Sequence, residues 1–153
     1  MHKSDLSVLP CSLARTLQVV GEWWTHLVLR DICFGVRRFD LIQAHLGLAR
    51  NILVARLDTL VEHGLVVRER YQQRPERYEY VATEKGLDLV PAMMALVAWG
   101  DRWASGGHPP VHVRHASCGH DTTAAVVCEV CGDPLRAADL RVHEPPRAAA
   151  AER

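Results

Sequence analysis

The hydrophobic positions in the first half of the chain recur at helical spacing. In residues 12–33 apolar side chains follow one another three or four positions apart and Gly21 interrupts the pattern, so we predict two amphipathic helices. A short helix is predicted to end at Gly47. A longer one, beginning at about Arg50, is predicted to end at Gly64, because glycine is a favoured helix-stop residue.

A strand pattern follows these helices. The stretches LVVRERY and RYEYVAT are rich in valine and tyrosine and flank the polar QQRPE, which is typical of a β-hairpin with a long loop. Thr83 offers an N-cap for a helix over residues 84–103, and Pro91 should kink or split that helix. The small and turn-forming residues of ASGGHPP place a boundary near residue 105.

This order of elements predicts a winged helix-turn-helix. Two short helices joined by a glycine-containing turn, with a two-stranded wing after the second helix, form that arrangement. We therefore divide the chain into a winged-helix domain (1–105), a small cysteine-rich segment (106–142) and a tail (143–153). The tail has too little apolar content to pack and is expected to be disordered.

The second helix of the motif has an exposed face that suits DNA. Its predicted core face carries four apolar residues, Leu53, Leu57, Leu60 and Val61. Arg50 and Asn51 then lie near the N-terminal turn, which normally enters the major groove, where Arg reads guanine and Asn reads adenine. Asp58 and Glu62 lie lower on the outward face and would repel phosphates, so we expect only the first two turns to insert.

Four more arginines are candidates for contacts with the DNA backbone. Arg74 and Arg77 lie at the predicted tip of the wing, a position suited to phosphate or minor-groove contact. Arg37 and Arg38 precede the first helix of the motif and could hold the opposite phosphate backbone. The alternative is a solvated surface, since residues 50–80 hold six arginines against five acidic residues.

The composition is that of a globular protein and leaves nucleic-acid binding open. Of the 153 residues, 48% are hydrophobic and 24% charged, and the formal net charge is zero, so DNA contact would need a local basic patch. No stretch approaches the roughly 20 apolar residues that span a bilayer, and the first residues lack the apolar run of a secretory signal. We expect a cytoplasmic protein without membrane contact, whose thiols stay reduced.

The stretch HASCGHDTTAAVVCEVCG holds three of the five cysteines. His115 and Cys118, then Cys128 and Cys131, form two knuckles nine residues apart, each with a two-residue gap and a following glycine. This spacing predicts one structural zinc ion held by the four side chains, with TTAAVV as a strand of a short ribbon. His120 is the rival fourth ligand. The ribbon is too small to fold on hydrophobic burial, so metal binding would supply its folding free energy. The predicted fold class is α+β, mainly α: a winged helix-turn-helix with a small C-terminal zinc-ribbon-like segment.

Other chemistry fits this segment less well. An iron–sulfur cluster usually takes four thiolates, and a thioredoxin-like C-x-x-C would need a βαβ context. A catalytic zinc would need an open coordination position and a nearby base, and Glu129 sits between two ligands. A metal-free segment, redox sensing and a zinc or thiol redox enzyme remain as alternatives.

Residues 11–103 resemble the HxlR-type winged-helix transcriptional regulators. The resemblance rests on the stretches CSLARTLQVVGEWWTHLVLRDICFGVRRFDLI, GLARNILVARLDTLVEHGLV, ERYQQRPERYEYVATEKG and MALVAWGDRW. It implies a sequence-specific DNA-binding homodimer, a repressor on a palindromic operator, with the first helix and the 84–103 helix at the subunit interface. It also places Arg56 with Arg50 and Asn51 on the recognition helix. A small-molecule or electrophile effector is a further expectation, and a winged-helix protein interaction module without DNA contact is the main alternative.

Three positions bear on this resemblance. Ala49 stands where many members have a helix-capping serine, and Trp23 stands where lysine is frequent, so Trp23 could extend an apolar interface instead. Cys11 matches the N-terminal cysteine that some members use to sense quinones, aldehydes or oxidants. An inert cysteine at the dimer interface is the alternative for Cys11, and Cys33, on an apolar helix face, is expected in the core.

Overall fold

The computed structural model describes residues 8–106 and 108–143 of the chain. These residues form a helical domain with a two-stranded wing, followed by a smaller two-stranded segment. In chain order the elements are α1 (Ser12–Val20), α2 (Trp23–Cys33), α3 (Phe39–Leu46), α4 (Arg50–Glu62), β1 (Val66–Gln72), β2 (Arg77–Ala82), α5 (Glu84–Leu87), α6 (Val90–Trp103), β3 (Val113–His115) and β4 (His120–Thr122). The winged helix-turn-helix order is confirmed. No helix in the described part is long and apolar enough to cross a membrane.

The break between α1 and α2 is at Gly21, as predicted. A Cβ atom at this position would lie 2.2 Å from the Leu17 carbonyl oxygen, so only glycine fits so close to the end of α1. Glu22 then caps α2, because its carboxylate accepts hydrogen bonds from the backbone N–H groups of Trp24 at 2.9 Å and Thr25 at 3.3 Å. The two helices thus meet at a fixed corner.

The core of the domain is built around α2. The buried apolar side chains come from α1, α2, α3, α4, β1 and α6, and include Val20, Val28, Leu29, Ile32, Ile42, Leu53, Leu57, Leu60, Val66 and Met93. The prediction that Val61 joins the core is wrong, since its residue surface is 40% exposed. Leu53, Leu57 and Leu60 already form the buried stripe, and Val61 lies about 100° around the helix from Leu60.

The wing joins the helix-turn-helix through backbone hydrogen bonds. The strands β1 and β2 pair antiparallel from Val66 opposite Ala82 to Gln72 opposite Arg77. The Tyr80 N–H donates to the Arg37 carbonyl at 2.8 Å, which ties the segment before α3 to the edge of the wing. Candidate phosphate-binding residues before α3 are therefore held beside the wing.

The predicted helix over residues 84–103 is split, as Pro91 indicated. Thr83 caps α5, its hydroxyl accepting from the Gly86 N–H at 3.2 Å and donating to the Gly64 carbonyl at 2.7 Å. Pro91 lies in the first turn of α6, where its missing N–H leaves no helical hydrogen bond unmade. The cap and the proline together set the start of α6.

The C-terminal segment contains two small antiparallel pairings. Strands β3 and β4 pair first, and an isolated bridge then joins Val127 to Pro134. The prediction that TTAAVV forms one strand is wrong, because β4 ends at Thr122 and residues 123–126 have no regular structure. The valine-rich composition favours a strand, but a strand needs a partner beside it. Of the predicted tail 143–153, residues 144–153 lie outside the described residues.

Candidate nucleic-acid interface

The N-terminal turn of α4 is open and carries exposed polar side chains. Arg50 and Asn51 are exposed in this turn, and no side chain of the described residues caps the helix at Ala49. The first N–H groups of α4 therefore have no side-chain partner and, with the positive end of the helix dipole, can receive an anionic oxygen. The Arg50 guanidinium lies over the Phe39 ring, 4.8 Å from its centroid, which orients the side chain at the start of the helix.

The turn before α4 is rigid. Gly47 adopts the left-handed conformation, with φ of 64°, that ends α3. The Gln43 side chain donates to the Leu48 carbonyl at 3.1 Å, and Leu48 is itself buried. These contacts fix the position of α4 relative to α3. Asp58 and Glu62 are exposed further along α4, as expected, so the face becomes acidic towards its C-terminus.

Arg56 faces the domain rather than the exposed surface of α4. Its Nη1 atom lies 3.3 Å from the Glu22 carboxylate, and its side chain is 23% exposed. The Nε atom is buried and makes no hydrogen bond with any described residue. Arg56 lies on the recognition helix, as expected, and its charge is paired with Glu22 at the N-cap of α2. Arg56 links α4 to the corner between α1 and α2.

The wing presents two arginines at its tip. Arg74 and Arg77 are exposed, and among the described residues neither side chain has a hydrogen-bond or ion-pair partner. Arg70 differs, since its Nη1 atom lies 3.1 Å from the Glu76 carboxylate. The Gln72 amide donates to the Arg74 carbonyl at 3.0 Å and steadies the tip. The basic charge available to a phosphate is thus at the tip of the wing.

The segment before α3 adds further basic side chains near the root of the wing. Arg37 and Arg38 are both exposed, and the Arg38 guanidinium lies over the Tyr71 ring, 4.5 Å from its centroid. Burial raises the pKa of the nearby Tyr80 hydroxyl. The positive charge of Arg68 lowers that pKa in part, and the negative charge of Asp58 raises it. The exposed basic groups of the domain therefore include the segment before α3, the start of α4 and the tip of the wing.

A buried ionic cluster behind this surface was not predicted. Asp31 is 2% exposed, and its carboxylate lies 2.7 Å from Arg30 Nη2 and 2.6 Å from His45 Nδ1. This cluster connects α2 to the last turn of α3, directly before the turn that positions α4. The sequence carried one signal of this burial. Asp31 lies three positions after Val28, a helical spacing that places both residues on the buried face of α2.

A cavity lies on the other side of this cluster. It has a volume of about 860 Å³ and is bounded by α2, α6 and the segment 110–114. Its apolar wall includes Leu27, Phe34, Met93, Met94, Leu96 and Val97. The polar residues that line it are His26, Arg30, Asp31, His45, Asp101, Ser105, His112 and Arg114. The volume and the mixed lining are those of a small-molecule site.

The structure arranges the predicted metal ligands as two pairs. Cys118 Sγ lies 3.4 Å from His115 Nδ1, and the Cys128 thiol is hydrogen-bonded within its own C-x-x-C knuckle. Hydrogen bonds from the backbone N–H groups of Cys131 and Val130, then from the Cys131 side chain, lower the pKa of the Cys128 thiol. Within residues 8–106 and 108–143, no three His, Cys, Asp or Glu side chains are gathered as ligands of one metal ion.

The two remaining cysteines differ in exposure. Cys11 is exposed at the N-cap position of α1. Cys33 is half-buried and packs against the core, and burial raises the pKa of its thiol. Cys11 is therefore accessible to a reagent in solution, whereas Cys33 is disfavoured as a thiolate.

Comparisons with known proteins place these features in one family. Residues 19–107 match the family described as HxlR-like helix-turn-helix. An uncharacterized HTH-type transcriptional regulator of Mycobacterium tuberculosis is 42% identical over 130 residues, covering 84% of this chain and 82% of the relative.

Solved structures agree with this match. The crystal structure of PA1607, a candidate transcription factor, has a TM-score of 0.81 at 36% identity, covering 91% of this chain and 98% of PA1607. The redox regulator HypR in its reduced form has a TM-score of 0.57 at 28% identity, covering 64% of this chain and 100% of HypR. The similarity to PA1607 therefore covers more of the chain than the family match at 19–107.

Proposed function

Because this chain belongs to the HxlR-like helix-turn-helix family, we propose that it represses transcription as a homodimer bound to a palindromic operator. Its relatives are transcriptional regulators, and the winged helix-turn-helix fold is present here. The observation that carries the proposal is the open N-terminal turn of α4, where Arg50 and Asn51 are exposed and no side chain caps the helix. An exposed helix start with Arg50 and Asn51 suits binding to DNA in a transcriptional regulator better than it suits an enzyme active site.

The surface divides into groups that read bases and groups that hold phosphates. Arg50 suits guanine and Asn51 suits adenine, since each side chain can make two hydrogen bonds to that base in the major groove. Arg74, Arg77 and Arg37 have side chains without partners among the described residues, so they can pair with phosphates at no cost in lost ion pairs. Arg56 supports the recognition helix through Glu22 instead of contacting DNA.

A gel-shift titration on the DNA beside the protein's own gene tests this function. Wild-type protein should prefer one palindromic segment over random sequence, and Arg50→Ala with Asn51→Ala should weaken that binding by at least tenfold, since each base contact contributes about 1–3 kcal/mol. Arg136→Ala, an exposed arginine in the C-terminal segment, is the matched control and should bind normally. Equal binding by the double variant would favour a protein interaction module without base contacts.

Dimerisation is supported by apolar surface on the first and last helices of the domain. Leu13 and Leu17 are exposed on α1, and Leu96, Trp99 and Trp103 are exposed on α6. Exposed tryptophans and leucines on these two helices favour a protein interface, because aromatic and apolar residues are enriched where protein surfaces meet. A second copy would place two recognition helices against two half-sites.

The 860 Å³ cavity is our proposed site for a small-molecule effector. Its wall is apolar, and most of the polar groups at its edge are arginine or histidine, which favours an apolar ligand with an anionic group. Asp31 connects this edge to His45 on α3. A ligand that shifts the Asp31 cluster would thereby move the helix that positions α4.

Calorimetry with an aromatic carboxylate tests the cavity. The probe 1-naphthoate should bind wild-type protein, and Met94→Trp, which fills the cavity, should weaken that binding at least tenfold. Leu135→Trp adds the same side chain at an exposed position of the C-terminal segment and should leave binding unchanged. Equal binding to wild type and Met94→Trp would remove the cavity as the site.

A further inference from the structure

The two C-x-x-C-like turns of the C-terminal segment have the same backbone geometry. In the first, the Gly119 N–H donates to the His115 carbonyl at 2.8 Å, and in the second the Gly132 N–H donates to the Cys128 carbonyl at 2.8 Å. Both glycines are in the left-handed region, with φ of 71° and 78°. A side chain there would be strained, so these glycines close the two turns in the same way.

The backbone pairing around the two turns also matches. His115 pairs with His120 across the β3–β4 hairpin, and the Cys128 N–H donates at 2.8 Å to the carbonyl of Asp133. In each turn the first residue thus pairs with the residue five positions later. His115 corresponds to Cys128, and His120 corresponds to Asp133.

We propose that these two knuckles bind one structural zinc ion through His115, Cys118, Cys128 and Cys131. Three sulfur donors and one imidazole nitrogen form a donor set that zinc takes in closed tetrahedral sites. The proposal goes beyond the regulatory function and does not depend on DNA binding.

Contacts within each knuckle hold its two ligand positions in one turn. In the first knuckle Cys118 Sγ and His115 Nδ1 are 3.4 Å apart, so two donor atoms already lie together. In the second, the hydrogen bond from the Gly132 N–H to the Cys128 carbonyl closes the turn that carries Cys128 and Cys131. Binding requires the two pairs to close on one ion.

The segment has little else to hold its shape. In the range 108–143 no residue is buried, and Val130 is 88% exposed. Apart from short pairings, its ordered turns therefore lack the apolar core that would stabilise them. A zinc ion bound by both knuckles would supply the missing cross-link, because metal binding and folding are coupled in such small units.

The same correspondence chooses between the two candidate histidines. His120 comes after the glycine, at the place that Asp133 takes in the second knuckle, whereas His115 takes the place of the ligand Cys128. His115 is therefore the fourth ligand, and His120 lies on the paired strand outside the knuckle.

Metal analysis of the untagged full-length protein tests the proposal. Purified wild-type protein should contain about one zinc ion per chain, and replacement by Co²⁺ should give the absorption bands of a tetrahedral sulfur-rich site. Cys131→Ser and His115→Ala should each lower the bound zinc at least tenfold after dialysis, while His120→Ala should retain it.

Each alternative result has a definite meaning. Zinc-free wild-type protein that also gives no tetrahedral Co²⁺ spectrum after metal-free reduction would overturn the site. Loss of zinc in His120→Ala with retention in His115→Ala would overturn the ligand assignment. Operator binding and helical circular dichroism should persist in Cys131→Ser, which separates loss of the ion from loss of the winged-helix fold.

Discussion

The buried carboxylate of Asp31 links the core of the domain to α3. Its carboxylate is buried in the core at the end of α2, where an unpaired charge would be costly. Arg30 and His45 satisfy both carboxylate oxygens, and His45 belongs to α3. The side chain therefore connects the middle of the core to the helix-turn-helix.

Replacing Asp31 with asparagine should destabilise the domain. The substitution keeps the shape of the side chain but removes the charge that holds Arg30 and His45, and we expect a loss of about 2 kcal/mol in the free energy of unfolding. Urea unfolding followed by circular dichroism measures it. Asp58→Asn, at an exposed position of α4, is the control and should change stability by less than about 0.5 kcal/mol. Equal stability of the two variants would mean that the Asp31 cluster contributes little.

Cys11 and Cys33 should react differently with iodoacetamide. Burial raises the pKa of Cys33, so at a given pH less of it is thiolate, and its reaction should rise only at pH values above those at which a free cysteine reacts. Cys11 is exposed and should be modified first. Peptide mass spectrometry across a pH series follows both residues. Modification of Cys33 that is faster than that of Cys11 at neutral pH would contradict the half-buried position of Cys33. Protein modified at Cys11 can then be tested for altered operator binding.

At the scale of elements, local patterns predicted the helices and the wing because their signals lie within a few residues of each other. Gly47 ends α3 because glycine adopts the left-handed conformation readily. Pro91 lies in the first turn of α6 because proline has no backbone N–H to donate. Contacts between distant segments were not predicted. The ion pair between Arg56 and Glu22 depends on how α4 packs beside α2. The hydrophobic pattern within either helix does not predict this contact.

The same limit applies to the C-terminal segment. The spacing of cysteine and histidine predicted two knuckles with His115 as a ligand and His120 as its rival. Both turns are present, and the backbone pairing supports the proposal of His115. The valine content of TTAAVV suggested one strand, but only its ends are paired, Thr122 with Val113 and Val127 with Pro134, and residues 123–126 have no regular structure. Residue composition indicates a tendency to form a strand, but a strand forms only where another segment pairs with it.

The wing should contribute to affinity and very little to sequence choice. Arg74→Ala with Arg77→Ala removes two unpaired cations from the tip, so affinity should fall by a similar factor for operator and random DNA. The slope of log affinity against log salt should decrease by about four for the dimer, since each of its two wings loses two phosphate contacts and each lost contact removes about one. Fluorescence anisotropy at several salt concentrations measures it. Arg70→Ala should have a smaller effect because Glu76 already pairs with Arg70, and an unchanged slope in the double variant would exclude the wing tip from DNA.

At the scale of the whole molecule, α6 separates two different surfaces. A cavity of about 250 Å³ lies between α6 and the C-terminal segment, with Met94 and Val97 on one side and Val113 and Thr122 on the other. Trp99 and Trp103 of the same helix are exposed. The C-terminal segment therefore lies against α6, and its order would affect both this helix and the larger cavity next to it.

The exposed tryptophans make the proposed dimer directly testable. Trp99→Glu places a charge on the apolar surface of α6, and because Trp99 is exposed in the single chain, the monomer should still fold. We expect light scattering after size exclusion to show a monomer, and operator affinity to fall at least a hundredfold, since two linked half-sites gain their affinity from simultaneous binding. Val142→Glu puts the same charge on a fully exposed valine outside both knuckles of the C-terminal segment and should remain dimeric. A dimeric Trp99→Glu protein with full operator affinity would place the subunit interface elsewhere. A monomeric one that still binds a single half-site weakly would show that α4 reads DNA on its own and that dimerisation through α6 supplies the remaining affinity.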